Sequence, residues 1–159
     1  MQAANCSTQK GAAVVTCENR VSDCTDWRIE PVSHLAIVNA HSGLVVSAQQ
    51  CDVKANACQQ WQATSTSDGY YRLQSKQLTA NKQTQCLVSV DGNLQLGGCE
   101  QADSEWRTEF MPNGSLRVVS RKGGSSMKVA GESYANGDNI VEDVWKNTIS
   151  QQFYFREVK

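Results

Sequence analysis

The sequence predicts an all-β protein, a barrel or a sandwich, and three observations carry that reading. Helical spacing, with apolar residues at i, i+3 and i+4, is hard to find anywhere along the chain. Short β-type runs follow one another instead, bounded by clusters of Gly, Asn, Asp and Ser. Only two prolines interrupt them.

The elements can be justified in order. "AAVVTC", "LAIVNA" and "LVVSA" are runs of small and β-branched residues that suit a pleated, half-buried surface. "YYRLQS", "CLVSV", "NLQLGGC", "SLRVVS", "SMKVA", "NIVEDVW" and "FYFREV" follow, several of them alternating apolar and polar side chains. Between them lie "SDG", "DGN", "PNG", "KGG" and "NGDN". These are the residues that accept φ > 0 in tight turns and hairpins.

Composition limits the functions. A chain of 159 residues makes about one domain and can build a core of its own. A net charge of -1 gives no electrostatic reason to expect nucleic acid or an anionic membrane surface as a partner. No apolar run is long enough for a transmembrane helix. "MQAANCSTQK" lacks the basic and apolar regions of a signal peptide. Seven cysteines nevertheless point to disulfides and export, which suits a piece of a larger secreted protein. The odd count leaves at least one thiol unpaired within the chain. Zinc is disfavoured, because no two cysteines form a C-x2-C pair and the histidines are His34 and His41.

The architecture comes from a repeat. An aromatic follows a polar pair at "TDW" (Trp27), "QQW" (Trp61), "SEW" (Trp106) and "QQF" (Phe153). The flanks repeat as well: "NLQLGGCEQADSEWRTEF" lies over "AAVVTCENRVSDCTDWRIEP". Upstream, "SLRVVSRKGGSSMKVAG", "YYRLQSKQLTANKQTQCLVSVDG" and "LAIVNAHSGLVVSA" share the order strand, turn, strand.

A strand pair, a "CLVSV" strand, "GNLQLGGC" and then the aromatic corner resembles the ricin B-like (R-type) β-trefoil lectin domain. Among such domains the chain is similar to those attached to secreted bacterial pore-forming haemolysins of the Vibrio type. "QCLVSVDGNLQLGGCEQADSEW" and "NGDNIVEDVWKNTISQQFYF" carry most of the likeness. It implies a trefoil over 33–159 in units 33–66, 67–110 and 111–159, each of four strands. Trp61, Trp106 and Phe153 would then pack around a pseudo-threefold axis as core residues, with the Gln two places earlier bridging strands. Residues 1–32, with Trp27, are an extra β half-repeat. They could be the tail of an earlier repeat, a linker, or part of an unusual first unit, and an N-terminal extension is preferred.

The resemblance and the repeat alignment also imply cysteine pairs. Cys86 and Cys99 stand where R-type repeats close a hairpin; Cys51 would pair with Cys58, and Cys6 with Cys17, leaving Cys24. For sugar binding the family places an acid in its "C-L-D" strand and an aromatic two residues before the hairpin cysteine. This chain departs from both, with Val88 and Lys128 at the acid position and Gln49 and Gly97 at the aromatic one. The third unit keeps candidates. Trp145 falls at or beside the stacking position, Asp138 or Asp143 would take two sugar hydroxyls, and Asn147 and Gln151 would add hydrogen bonds.

Catalysis is not expected. "HLAIVNAHSG" reads as a strand and a turn, and neither histidine has an acid and a nucleophile beside it. Glu142 and Asp143 are adjacent, so on a strand they point to opposite faces. No phosphate-binding loop is present, and no metal or cofactor is expected. The expected function is a secreted, non-catalytic lectin domain that brings a larger toxin chain or oligomer to cell-surface glycans, of galactose or N-acetylgalactosamine type by resemblance. Membrane contact would run only through those glycans. The rival is a protein-binding or structural trefoil, because fold alone does not decide function.

Overall fold

The structure, a computed structural model, describes residues 2–3, 14–15, 34–48, 56–77 and 81–158. The chain divides into two compact units, Met1–Glu30 and Pro31–Lys159. In the first, β1 (Gln2–Ala3) pairs antiparallel with β2 (Val14–Val15). Trp27, Cys6, Cys17, Cys24 and Cys51 lie outside the described residues.

In the second unit, six strands close a barrel. They are β3 (Leu35–Asn39), β4 (Trp61–Ser65), β5 (Tyr71–Ser75), β8 (Glu105–Phe110), β9 (Leu116–Ser120) and β12 (Phe153–Glu157). Each pairs antiparallel with the next, and β12 returns to β3. The long pairs β4–β5, β8–β9 and β12–β3 join one repeat to the next, so the repeats hold one another in the ring. Among the described residues, two hairpins stand off the barrel: β6 (Cys86–Val90) with β7 (Asn93–Gly97), and β10 (Ser126–Val129) with β11 (Ile140–Asp143). They touch where Val141 pairs with Asn93. This is the β-trefoil arrangement.

The expectation of four strands per unit holds for the second and third. In the first, the described residues supply β3, β4 and a single bridge from Val45 to Val38. The Val45–Ala48 stretch is still tied in, with the Val46 N–H donating to the Ile37 carbonyl and the Ala48 N–H to the Cys58 carbonyl.

The local reasons are visible in the strands. "LAIVN", "YRLQS" and "LRVVS" each run apolar, x, apolar, x, small polar, which is the two-residue period of a face turned inward. Ile37, Leu73 and Val118 are the middle residues, and all three are fully buried. The last residue of each run pairs with an aromatic: Ser75 with Trp61, Ser120 with Trp106, Asn39 with Phe153. The first residue pairs with the neighbouring one: Leu35 with Trp61, Tyr71 with Trp106, Leu116 with Phe153.

Trp61, Trp106 and Phe153 therefore repeat one position three times, and each is 0% exposed. Burying such a ring contributes roughly 2–3 kcal/mol. Both indole N–H groups are satisfied, Trp61 Nε1 donating to the Val46 carbonyl and Trp106 Nε1 to the Leu87 carbonyl, each at 3.0 Å. A single-turn 3-10 helix precedes each aromatic: Asn56–Gln59, Ala102–Ser104 and Ile149–Gln151. The turn residues do what their chemistry allows. Asp91 and Gly92 have φ of 50° and 79°, which closes β6–β7 in two residues. The corresponding link in β10–β11 is the much longer loop 130–139.

Candidate functional site

The third hairpin is where the candidate residues gather, so its register decides what they can do. Gly97 pairs with Cys86 in the second hairpin, and Asp143 pairs with Ser126 in the third. Likewise Val88 faces Gln95, and Lys128 faces Val141. Asp143 therefore holds the place of Gly97. Trp145, two residues further on, holds the place of Cys99 rather than the stacking position expected for it.

In the second unit both family positions are closed by packing. A Cβ on Gly97 would stand 2.6 Å from Val88 Cγ2, so the valine occupies the room where a ring and an acid would be needed. Cys86 and Cys99 are joined by a disulfide that closes the hairpin. Cys58 is also disulfide-bonded.

In the third unit the acid position carries the opposite charge. The Lys128 ammonium lies 3.0 Å from Asp143 Oδ2 and 3.4 Å from Glu132 Oε1. Lys146 Nζ reaches the same Asp143 oxygen at 3.4 Å, and the Val144 N–H donates to Asp143 Oδ1 at 2.8 Å. The Lys128 hydrogen bond, helped by the Val144 N–H, holds the Asp143 carboxyl below the usual carboxylate range. The same pairing raises the Lys128 pKa. Asp143 is thus an anion already engaged on both oxygens, and it has little left to offer a sugar diol.

Trp145 is half-buried, with the Arg117 guanidinium 4.8 Å from its ring centroid. Arg117 is fixed in turn, Nε donating to Ser126 Oγ at 2.7 Å and Nη1 to Glu109 Oε2 at 2.9 Å. One face of the indole is therefore covered. Gln151 is 0% exposed. Its Nε2 donates to the Val144 carbonyl at 2.7 Å, and its Oε1 accepts from the Lys146 N–H at 2.8 Å. That amide joins the corner to the end of the hairpin, so its contacts are structural. In the second unit Ser104 stands at the same place, its hydroxyl donating to the Cys99 carbonyl at 3.0 Å. Asn147 is exposed, at a left-handed φ of 57° that asparagine tolerates.

Asp138 is apart from this group. It lies in the loop before β11, whereas Asp143 ends that strand, which puts on the order of 10 Å between them. The two acids do not share a site. Asp138 is exposed, and among the described residues nothing bonds to its carboxylate. It lines a cavity of about 950 Å³ at the hairpin end of the trefoil, with Asn39, Ser42, Gln59, Gln95 and Asn136 among its polar walls. Val46, Leu87, Leu94, Val129 and Ile140 form apolar parts of the same wall.

Two residues adjacent in sequence to this lining carry no role in the sequence reading of the site. The rings of His41 and Tyr134 lie 4.1 Å apart between centroids and are inclined by 38°. Ser42 and Ala135, which follow them, line the cavity. A reading unit by unit could not pair them, because His41 comes from the first repeat and Tyr134 from the third.

No protein-family model matches the sequence, and no curated protein matches it significantly. Solved structures do resemble it. A designed threefold-symmetric protein, ThreeFoil, superposes with a TM-score of 0.66 at 20% identity, over 79% of this chain and 99% of that one. SeviL, solved bound to asialo-GM1 saccharide, gives a TM-score of 0.60 at 17% identity, over 80% and 98%. A mosquitocidal holotoxin gives 0.71 at 14% identity over 82% of this chain, which spans only 18% of that toxin. At these identities the likeness is one of fold.

Proposed function

We propose that the chain is a non-catalytic carbohydrate-binding domain whose single site lies at the tip of the third hairpin. The observation that carries it is the contrast between two acids. Asp143 is neutralised by Lys128, whereas Asp138, with no bonding partner among the described residues, presents its carboxylate on a cavity whose polar walls carry amides and hydroxyls. A carboxylate can accept from two adjacent sugar hydroxyls, and neighbouring amides such as Asn136 can both donate and accept. Trp145, Asn147 and Gln151 lie with the Asp143 group and take no part in this site.

Residues 33–159 are read as the binding domain and 1–32 as an extension. By resemblance, the sugar is galactose or N-acetylgalactosamine, and the domain would deliver a larger secreted protein, such as a pore-forming toxin, to glycans on a cell surface. A site with so few groups binds a monosaccharide weakly, since water competes for every hydroxyl. Attachment would then depend on several domains meeting several glycans at once.

A broad glycan array, probed with the monomeric chain and with a clustered form, tests this reading. The clustered form should bind and the Asp138→Asn variant should not. The second reading, a protein-binding trefoil, draws on the reversed charge at Lys128. It takes over if neither form binds any glycan and a protein partner is held tightly instead.

A further inference from the structure

Tyr134 is 68% exposed. It is nevertheless not adrift. Its hydroxyl lies 3.4 Å from His41 Nδ1, and His41 Nε2 lies 3.0 Å from the Glu132 carbonyl. The carbonyl can only accept, so Nε2 carries the hydrogen of that bond. His41 is anchored in its own turn, where its N–H donates to Asn39 Oδ1 at 3.1 Å. Asn39 is buried, and its amide donates to the Ser150 and Gln152 carbonyls beside the Phe153 corner. A continuous chain of bonds thus runs from the barrel corner to an exposed ring.

A supported, exposed ring in the loop that goes on to line the cavity has the form of a stacking face. We infer that Tyr134, held by His41, is the surface on which a neutral pyranose lays its C–H face while Asp138 takes its hydroxyls. The inference rests on the carbohydrate reading of this site and adds the aromatic that the reading otherwise lacks. Trp145 does not serve, because it is half-buried in the place of a hairpin cysteine, past the end of β11 that lies away from Asp138. Tyr134 fits, because the loop that carries it continues directly through Asn136 to Asp138 on the cavity wall. The site so built spans two repeats, with His41 contributed by the first.

The test measures binding of the full chain, in clustered form, to surfaces bearing galactose or N-acetylgalactosamine. Tyr134→Ala should weaken binding by on the order of tenfold, the size of one lost ring contact. Tyr134→Phe, which keeps the ring, should stay within about twofold of wild type. Melting temperatures should not change, because the ring is exposed. If Asp138→Asn abolishes binding while Tyr134→Ala does not weaken it, the stacking inference is wrong and the site reading stands. Equal loss in Tyr134→Phe and Tyr134→Ala would assign the effect to the hydroxyl and overturn stacking. Absence of glycan binding by the wild type would remove the site reading, and this inference with it.

Discussion

Ser126 and Trp145 occupy in the third hairpin the places that Cys86 and Cys99 occupy in the second, and Arg117 joins them as the disulfide joins the cysteines. Its Nε donates to Ser126 Oγ at 2.7 Å, and its guanidinium lies 4.8 Å from the indole centroid. A covalent staple in one repeat is thus replaced by a hydrogen bond and a cation–π contact in another.

Removing either side of that contact should loosen the third hairpin. Arg117→Ala and Trp145→Ala should each lower stability. A double-mutant cycle by urea unfolding should give a coupling of about 0.5–2 kcal/mol. Strict additivity would mean that the ring and the guanidinium are neighbours without interacting.

The second hairpin should show the opposite problem, crowding. Gly97→Ala places a methyl 2.6 Å from a Val88 methyl that is itself buried and stiff at χ1. Overpacking of this kind costs about 1–3 kcal/mol. Val88→Ala in the same chain should restore part of the loss, read as a rise in melting temperature over Gly97→Ala alone. No recovery would show that the strain is taken up elsewhere.

Gln151 should behave as a structural residue. Gln151→Leu keeps the volume and leaves the Lys146 N–H and the Val144 carbonyl without their partner. Partly buried groups left without their partner cost on the order of 1 kcal/mol each, so a fall in melting temperature is expected. A stable variant that has lost glycan binding would instead return Gln151 to the sugar site.

Acid should weaken the Lys128–Asp143 pair. The folded-state pKa of Asp143 is depressed, chiefly by Lys128, so its stabilisation is complete above the unfolded carboxylate value of about 3.9. It is lost as pH falls through the lower folded value. Wild type should therefore lose more melting temperature than Asp143→Asn between about pH 4 and about pH 2. Parallel curves would mean that the pair does not contribute.

Much of the fold was legible because its signals are local and occur three times. "LAIVN", "YRLQS" and "LRVVS" show the period of an inward face without any partner being known. "SDG" and "DGN" mark positive-φ turns, and Asp68 and Asp91 do adopt φ of 64° and 50°. The aromatic after each polar pair marks the corner that the repeats share. The site was less legible. Trp145, Asp143 and Gln151 are polar or aromatic residues close together in sequence, which a sugar site and a braced hairpin display alike.

What the sequence determined by itself was the class of structure: alternation, turn residues and a corner that recurs, all of which act within a few residues. Only the tertiary structure decided which groups are free. Asp143 is spent because register brings β10 and Lys128 beside it, whereas Asp138, in the loop before β11, has no bonding partner among the described residues. His41 meets Tyr134 across 93 residues, since the ring of strands closes the first repeat against the third. A strand's own period fixes which way its side chains face, whereas the partner each one meets is set by pairing with a distant strand.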